Sequence, residues 1–393
     1  MHLISRPRGC RLRLRLGSAR YAPLALALVM LSCLASARTS ASTRGALAAF
    51  RPSTASRIDR LLTRMTMAEK IGQLFMVPVN GAALTQMVHD WHVGGLILYG
   101  GDIMSAPQGR ALLTSAQRAA AVPLLVATDE EGGEVDQIPA AAGVQQMPAP
   151  GQYGRIGSAG RVYQDALVTG RQLRALGVNM DLAPVLDVLV DPNSPIGDRS
   201  YGADPALVTR LGTAAIRGYQ AGGIAATAKH FLGLGSVSID LHKDLPTIGR
   251  DKQQLEQVEL APMRAAIAAG VDALMVTHAA IPALDPTNTP ASLSRTIVDG
   301  YIRGRLGYHG LIITDSLAMG GLSTRVKSNA EATVRAIAAG NDMALISTDP
   351  PTIRGALDAV EHAVATGRIS PATIDAAVRH VLTLKAKLGL LPR

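Results

Sequence analysis

The chain has 393 residues, is 48% hydrophobic and only 3% aromatic, and carries a formal charge of +9. That length accommodates one large domain or two ordinary ones. The charge does not describe a basic surface: removing the six arginines of residues 1–37 from the 39 basic residues leaves 33 against 30 acids, or +3, so no nucleic-acid partner is implied.

Residues 1–37 read as a secretory signal. Arg6, Arg8, Arg11, Arg13, Arg15 and Arg20 form a basic n-region, Ala22–Leu34 is apolar, and Ala35-Ser36-Ala37 is a small-residue cleavage site. The apolar run is short for a membrane span. Cys33 follows Met30-Leu31-Ser32, an imperfect lipoprotein box. A lipid on Cys33, or an uncleaved signal, would tether the protein to a membrane; export to the exterior or the cell envelope is expected in each case. Residues 38–57, rich in Ala, Ser, Thr and Arg, read as a linker. Cys10 and Cys33 are the only cysteines, so residues 58–393 have no disulfide, thiol nucleophile or cysteine metal site.

From there, apolar runs alternate with amphipathic ones. The predicted strands are Phe75–Val79, Gly94–Tyr99, Leu124–Asp129, Val178–Val185, Ala226–Phe231, Ala273–His278, Leu311–Asp315 and Ala344–Ser347. Most are nearly continuous in apolar residues, as parallel strands covered on both faces must be. Predicted helices lie at Ala106–Ala120, Gly160–Leu176, Pro205–Ala221 and Gln253–Ala269, with closing helices at Pro351–Gly367 and Ser370–Leu388. Glycines after Leu176, Ala221, Ala269 and Ala339 mark helix stops. Eight such units predict an α/β fold, a single-domain (β/α)8 TIM-type barrel.

A barrel places its chemistry at the C-terminal ends of its strands. Polar residues gather there: Asp129 with Glu130 and Glu131; Asn179, Asp181 and Asp187; Lys229 and His230; His278; Asp315. One buried polar residue is usually a satisfied structural group; this many at one rim point to a polar small-molecule site. Asp315 could be a nucleophile, a base, a metal ligand, or a cap for the next helix. Asp240 and His242 sit two apart in a glycine-rich loop before Pro246. In an extended loop, that spacing turns both side chains the same way, allowing an acid–imidazole proton-transfer pair; a solvated turn is the other reading.

The ordered motifs DEEGGEV, LGVNMDLAPVLDV, IGDRSYG, KHFLGLG with DLHKDLP, PASLS and GLIITDSLAM resemble glycoside hydrolase family 3. Within it they resemble the β-N-acetylhexosaminidase branch that removes N-acetylglucosamine from peptidoglycan fragments. The resemblance spans residues 58–390. It implies a retaining mechanism with Asp315 as nucleophile, His242 as general acid/base and Asp240 as its partner. It implies sugar contacts from Asp129, Arg199, Lys229 and His230, with His278 and Met319 near the site. A monomer acting on a carbohydrate, with no cofactor and no metal, is expected; the histidines are scattered and lack a tight ligand pair. Two departures bear on substrate preference, above all for an anionic muramyl-type neighbour. Gln137 stands where the branch usually has an arginine, with Glu134 reversing a charge; Leu232 and Leu234 replace a proline and a histidine. Ser316 replaces a frequent second acid.

Other readings stay open at this level. The same fold and nucleophile could serve a β-glucosidase, or a phosphorylase, since a histidine repels an incoming anion less than a glutamate does. Lys229 could form a Schiff base in an aldolase-like lyase if its pKa were lowered; that leaves Asp315 and the Asp240–His242 loop without a role. The altered loop after strand three also keeps a non-catalytic sugar-binding protein in view.

Overall fold

The computed structural model describes residues 53–239 and 244–391. The leader with Cys33, most of the predicted linker, Asp240 and His242 lie outside the described residues. Helix Thr54–Arg64, capped by Ser53, begins inside the stretch read as linker.

Eight strands form one sheet: β1 Phe75–Pro78, β2 Gly95–Leu98, β3 Leu125–Thr128, β4 Met180–Asp181, β5 Ala225–Phe231, β6 Ala273–Val276, β7 Leu311–Thr314 and β8 Ala344–Leu345. Their order is β8-β1-β2-β3-β4-β5-β6-β7, and every pairing is parallel. The ring closes between its two end strands. Ile313 bridges Met343, and the Thr314 amide donates to the Met343 carbonyl at 3.1 Å. All eight predicted strands are present, with ends trimmed by a few residues.

Two-sided burial explains why these runs lack an apolar–polar alternation. Met76, Ile97, Leu125, Ala127, Met275 and Ile313 fill the barrel, while Val77, Leu96, Leu98, Val126, Val276 and Ile312 alternate with them and pack outward. The outer residues meet helices such as Ala106–Ala119, Ala159–Leu176, Pro205–Gly222 and Asn329–Ala339. Among the described residues, no helix is long and apolar enough to cross a membrane.

One predicted helix is corrected. Gln253–Ala269 is not continuous: Lys252–Gln257 and Leu260–Ala268 are separated at Val258 and Glu259. The break turns the Glu259 carboxyl inward, 2.9 Å from the Arg250 guanidinium and against Gly233 of the loop after β5. A straight helix would leave that half-buried guanidinium without its acid.

The last helix, Pro371–Lys387, plugs the barrel's N-terminal end: Val381 and Leu384 join the inner core. Next to Leu384 on this helix, Lys385 is fully buried, and its Nζ donates to Gln73 Oε1 at 2.6 Å. Burial pushes its ammonium down to about 7. An unfolded lysine titrates near ~10.4. Between those values the unfolded chain binds a proton that the folded chain lacks, so this group adds stability as pH rises. Urea midpoints should show it: the stability of wild type relative to Lys385→Met is expected to improve by about 2 kcal/mol from pH 7 to pH 9. A difference that does not move with pH would place the ammonium's pKa elsewhere.

Candidate active site

The chain leaves β3 at Asp129 and turns at once into a hairpin, Glu130–Gly132 against Val135–Asp136. The turn is tight: Gly132 has φ 94° and lies where a Cβ would be 2.3 Å from the Pro148 carbonyl. Neighbouring acids in this hairpin face opposite ways. Glu130 points away from the barrel mouth and accepts the Gln137 and Ile138 amides at 2.8 and 2.6 Å. Its burial pushes the carboxyl up to about 8.

Glu131 turns into the site. It takes a two-pronged bond from Arg199, 2.7 Å to each oxygen, and it lies 2.6 Å from Lys229 Nζ. Lys229, at the end of β5, also donates to Asp129 Oδ1 at 2.5 Å. Burial alone would raise the Glu131 pKa, but Lys229 and Arg199 outweigh it and hold the carboxyl at about 2. Burial alone would lower the Lys229 pKa; Asp129 and Glu131 reverse that and keep the amine charged. The Schiff-base reading fails on this point, because a lyase needs Lys229 to lose its proton readily.

His230 is fixed from behind. Its Nδ1 is 2.7 Å from Asp187 Oδ2, which leaves Nε2 as the free ring nitrogen. The other Asp187 oxygen accepts the His230 and Leu234 amides at 3.2 and 2.9 Å, tying the following loop to the same carboxylate.

Asp315 follows β7. Its amide donates to the Val276 carbonyl of the neighbouring strand at 3.0 Å, and its Oδ1 accepts the Ser316 amide at 2.7 Å. Burial opposes its charge, yet His230, His278, the Ser316 N–H and Lys229 together hold it below the usual aspartate value. His278 sits behind it, fully buried. Its Nε2 is 2.9 Å from the Ser316 carbonyl and its Nδ1 2.7 Å from Ser292 Oγ. Those partners assign the proton to Nε2. Burial lowers the His278 pKa, against the opposing pull of Asp315 and the Ser316 carbonyl.

These groups share one cavity of about 360 Å³. Asp129, Glu131, Arg199, Lys229, His230 and Asp315 supply its polar lining, and Met319 closes one side. Gln137 also lines it, its Oε1 accepting the Gly100 amide at 2.8 Å. The expected contacts Asp129, Arg199, Lys229, His230, Met319 and Asp315 are therefore brought together. His278 does not line the cavity; it holds the turn after Asp315. Asp240 and His242 fall in residues 240–243, outside the description, but Ile239, immediately before them, is a lining residue. Two residues that matter were not singled out for the site, Glu131 and Asp187. The signal for Glu131 was its place two after Asp129, on the same side of an extended chain.

Comparison with known proteins agrees with this architecture. The glycosyl hydrolase family 3 N-terminal domain matches residues 66–384. The chain is 35% identical to a β-N-acetylglucosaminidase/β-glucosidase of Cellulomonas fimi, over 84% of this chain and 59% of that protein. A solved family 3 β-N-acetylglucosaminidase from a Paenibacillus species superposes with TM-score 0.80 at 41% identity, covering 83% of this chain and 63% of that one. The β-N-acetylhexosaminidase of Beutenbergia cavernae superposes with TM-score 0.75 at 30% identity, covering 82% of this chain and 99% of that one. The chain thus spans about three fifths of the first two relatives, whereas it accounts for nearly all of the third. By its motifs, its closed parallel barrel and these matches, the chain belongs to glycosyl hydrolase family 3.

Proposed function

We propose that the protein is an exported, retaining exo-β-N-acetylglucosaminidase that removes terminal β-linked N-acetylhexosamine from peptidoglycan-derived fragments through a covalent glycosyl-aspartate. One observation carries the reading: the Asp315 carboxylate, held below its ordinary pKa, shares a cavity with His230 and with Asp129, Glu131, Arg199 and Lys229, whose charged groups are fixed by mutual ion pairs. The names of the relatives support the N-acetylhexosamine, and the leader supports export.

The residues divide the work. Asp129 can accept from sugar hydroxyls, while Lys229, Arg199 and His230 can donate to them. Because Glu131 fixes both cations before substrate arrives, little ordering remains for binding to supply. In the first step an Asp315 oxygen attacks C1, the C1–O bond to the leaving group breaks, and His242 delivers a proton to the departing oxygen. In the second, water attacks C1, its proton passes to His242, and the Asp315–C1 ester breaks. Asp240 orients the imidazole and raises its basicity.

Asp315→Asn is expected to lose at least about 10³-fold in turnover of 4-nitrophenyl N-acetyl-β-glucosaminide. Retained activity would remove Asp315 from the chemistry. Glu131→Gln should fold and lose about 10- to 100-fold in kcat/KM, since a charge-assisted bond to each cation weakens. On the alkaline side neither Asp315 nor Glu131 changes charge, as both are held below the usual carboxylate range. The fall of kcat/KM on the alkaline side should therefore follow loss of the proton from His242, and should disappear in His242→Ala along with about 10²-fold of the rate. An alkaline limb that survives that substitution would assign the acid to another group.

A further inference from the structure

The cavity's lining is part polar and part apolar. The wall built by the loops after β4, β5 and β7 is apolar: Pro195, Ile196, Leu234, Val237, Ile239 and Met319. Ile239 is 44% exposed, and of the exposed large aliphatic residues among those described it alone lines the cavity.

This wall is held in place. Ser194 Oγ donates to the Leu234 carbonyl at 2.9 Å, and the Val190 and Asp191 amides both donate to the Gly235 carbonyl, at 2.9 and 2.8 Å. Gly235 is pressed so close that a Cβ there would lie 2.0 Å from the Val188 carbonyl. The two loops therefore meet the substrate as one surface.

The charge around the wall is equally definite. Arg199 is bound by Glu131, and Lys229 by both Asp129 and Glu131. With Asp315, three carboxylates line the cavity beside two cations. Among the described lining residues, both cations are already charge-matched by carboxylates, with Asp315 a further negative charge.

The chain itself says which part of a substrate this wall faces. A general acid must stand against the leaving oxygen. Ile239 lies three residues before His242, the acid of the reading above, on the same loop. This inference rests on that reading and names its substrate more closely. We propose that the wall is the leaving-group subsite, that it selects an uncharged, apolar-faced leaving group over one bearing a carboxylate, and that Ile239 sets this choice. An anion there would lose its hydration against aliphatic side chains and find carboxylates nearby. A muramyl neighbour would qualify where its lactyl carboxyl is tied up as an amide.

The test compares two substrates of the full-length protein that differ by one carboxylate: 4-nitrophenyl and 3-carboxy-4-nitrophenyl N-acetyl-β-glucosaminide. The neutral substrate is expected to lead in kcat/KM by about tenfold or more, chiefly through KM. Ile239→Lys should bring the two within about threefold, and added salt should weaken that gain. Equal kcat/KM in wild type, or a ratio that Ile239→Lys leaves unchanged, would overturn the inference while the glycosidase reading stood. No turnover of either substrate would overturn the glycosidase reading, and this inference with it.

Discussion

A lysine ammonium buried at the end of a barrel strand is the constraint on which the site depends. Lys229 is 2% exposed, so its charge has almost no water to lean on. Left alone it would shed its proton, as Lys385 at the other end of the same barrel tends to do with only an amide oxygen for company. Asp129 and Glu131 prevent this. The same Glu131 then anchors Arg199 from the loop after β4. One carboxylate thus joins three elements that are far apart in sequence: the β3 hairpin, β5 and the β4 loop. Such a network is a poor source of net stability, because desolvation of its members offsets their attraction. What it supplies is geometry that exists before the substrate does.

Asp315 inherits its properties from that arrangement. Its carboxylate is half-buried, and without cationic and N–H neighbours it would take up a proton more readily. His230, His278, the Ser316 amide and Lys229 favour its charged form. Two of these are themselves held by partners, His230 by Asp187 and His278 by Ser292 and the Ser316 carbonyl. Asp315 is therefore supported at second hand by Asp187 and Ser292, which do not line the cavity.

The barrel was readable from the chain because its signal is redundant. Eight short apolar runs, each followed by an amphipathic stretch and several by a stop glycine, leave few other architectures. The site was readable in part, because strand ends are easy to find while side-chain direction is not. Glu130 and Glu131 are identical and adjacent, and only the hairpin's pleat decides which one meets Lys229. His230 and His278 both close a strand run, yet one lines the cavity and the other backs the turn after Asp315. The break at Glu259, by contrast, has a local cause in the chain: Pro262 cannot donate to the Val258 carbonyl four residues back and its ring crowds that carbonyl, so one helix cannot run through Gln253–Ala269. The break leaves Glu259 paired with Arg250 beside Gly233.

That pairing also shows how the fold fixes the loop after β5. It is held from three directions: Asp187 takes the Leu234 amide, the Leu234 and Gly235 carbonyls accept from Ser194, Val190 and Asp191 of the β4 loop, and Glu259 backs Gly233. A selective wall needs such fixing, since discrimination vanishes if the surface yields to the wrong group.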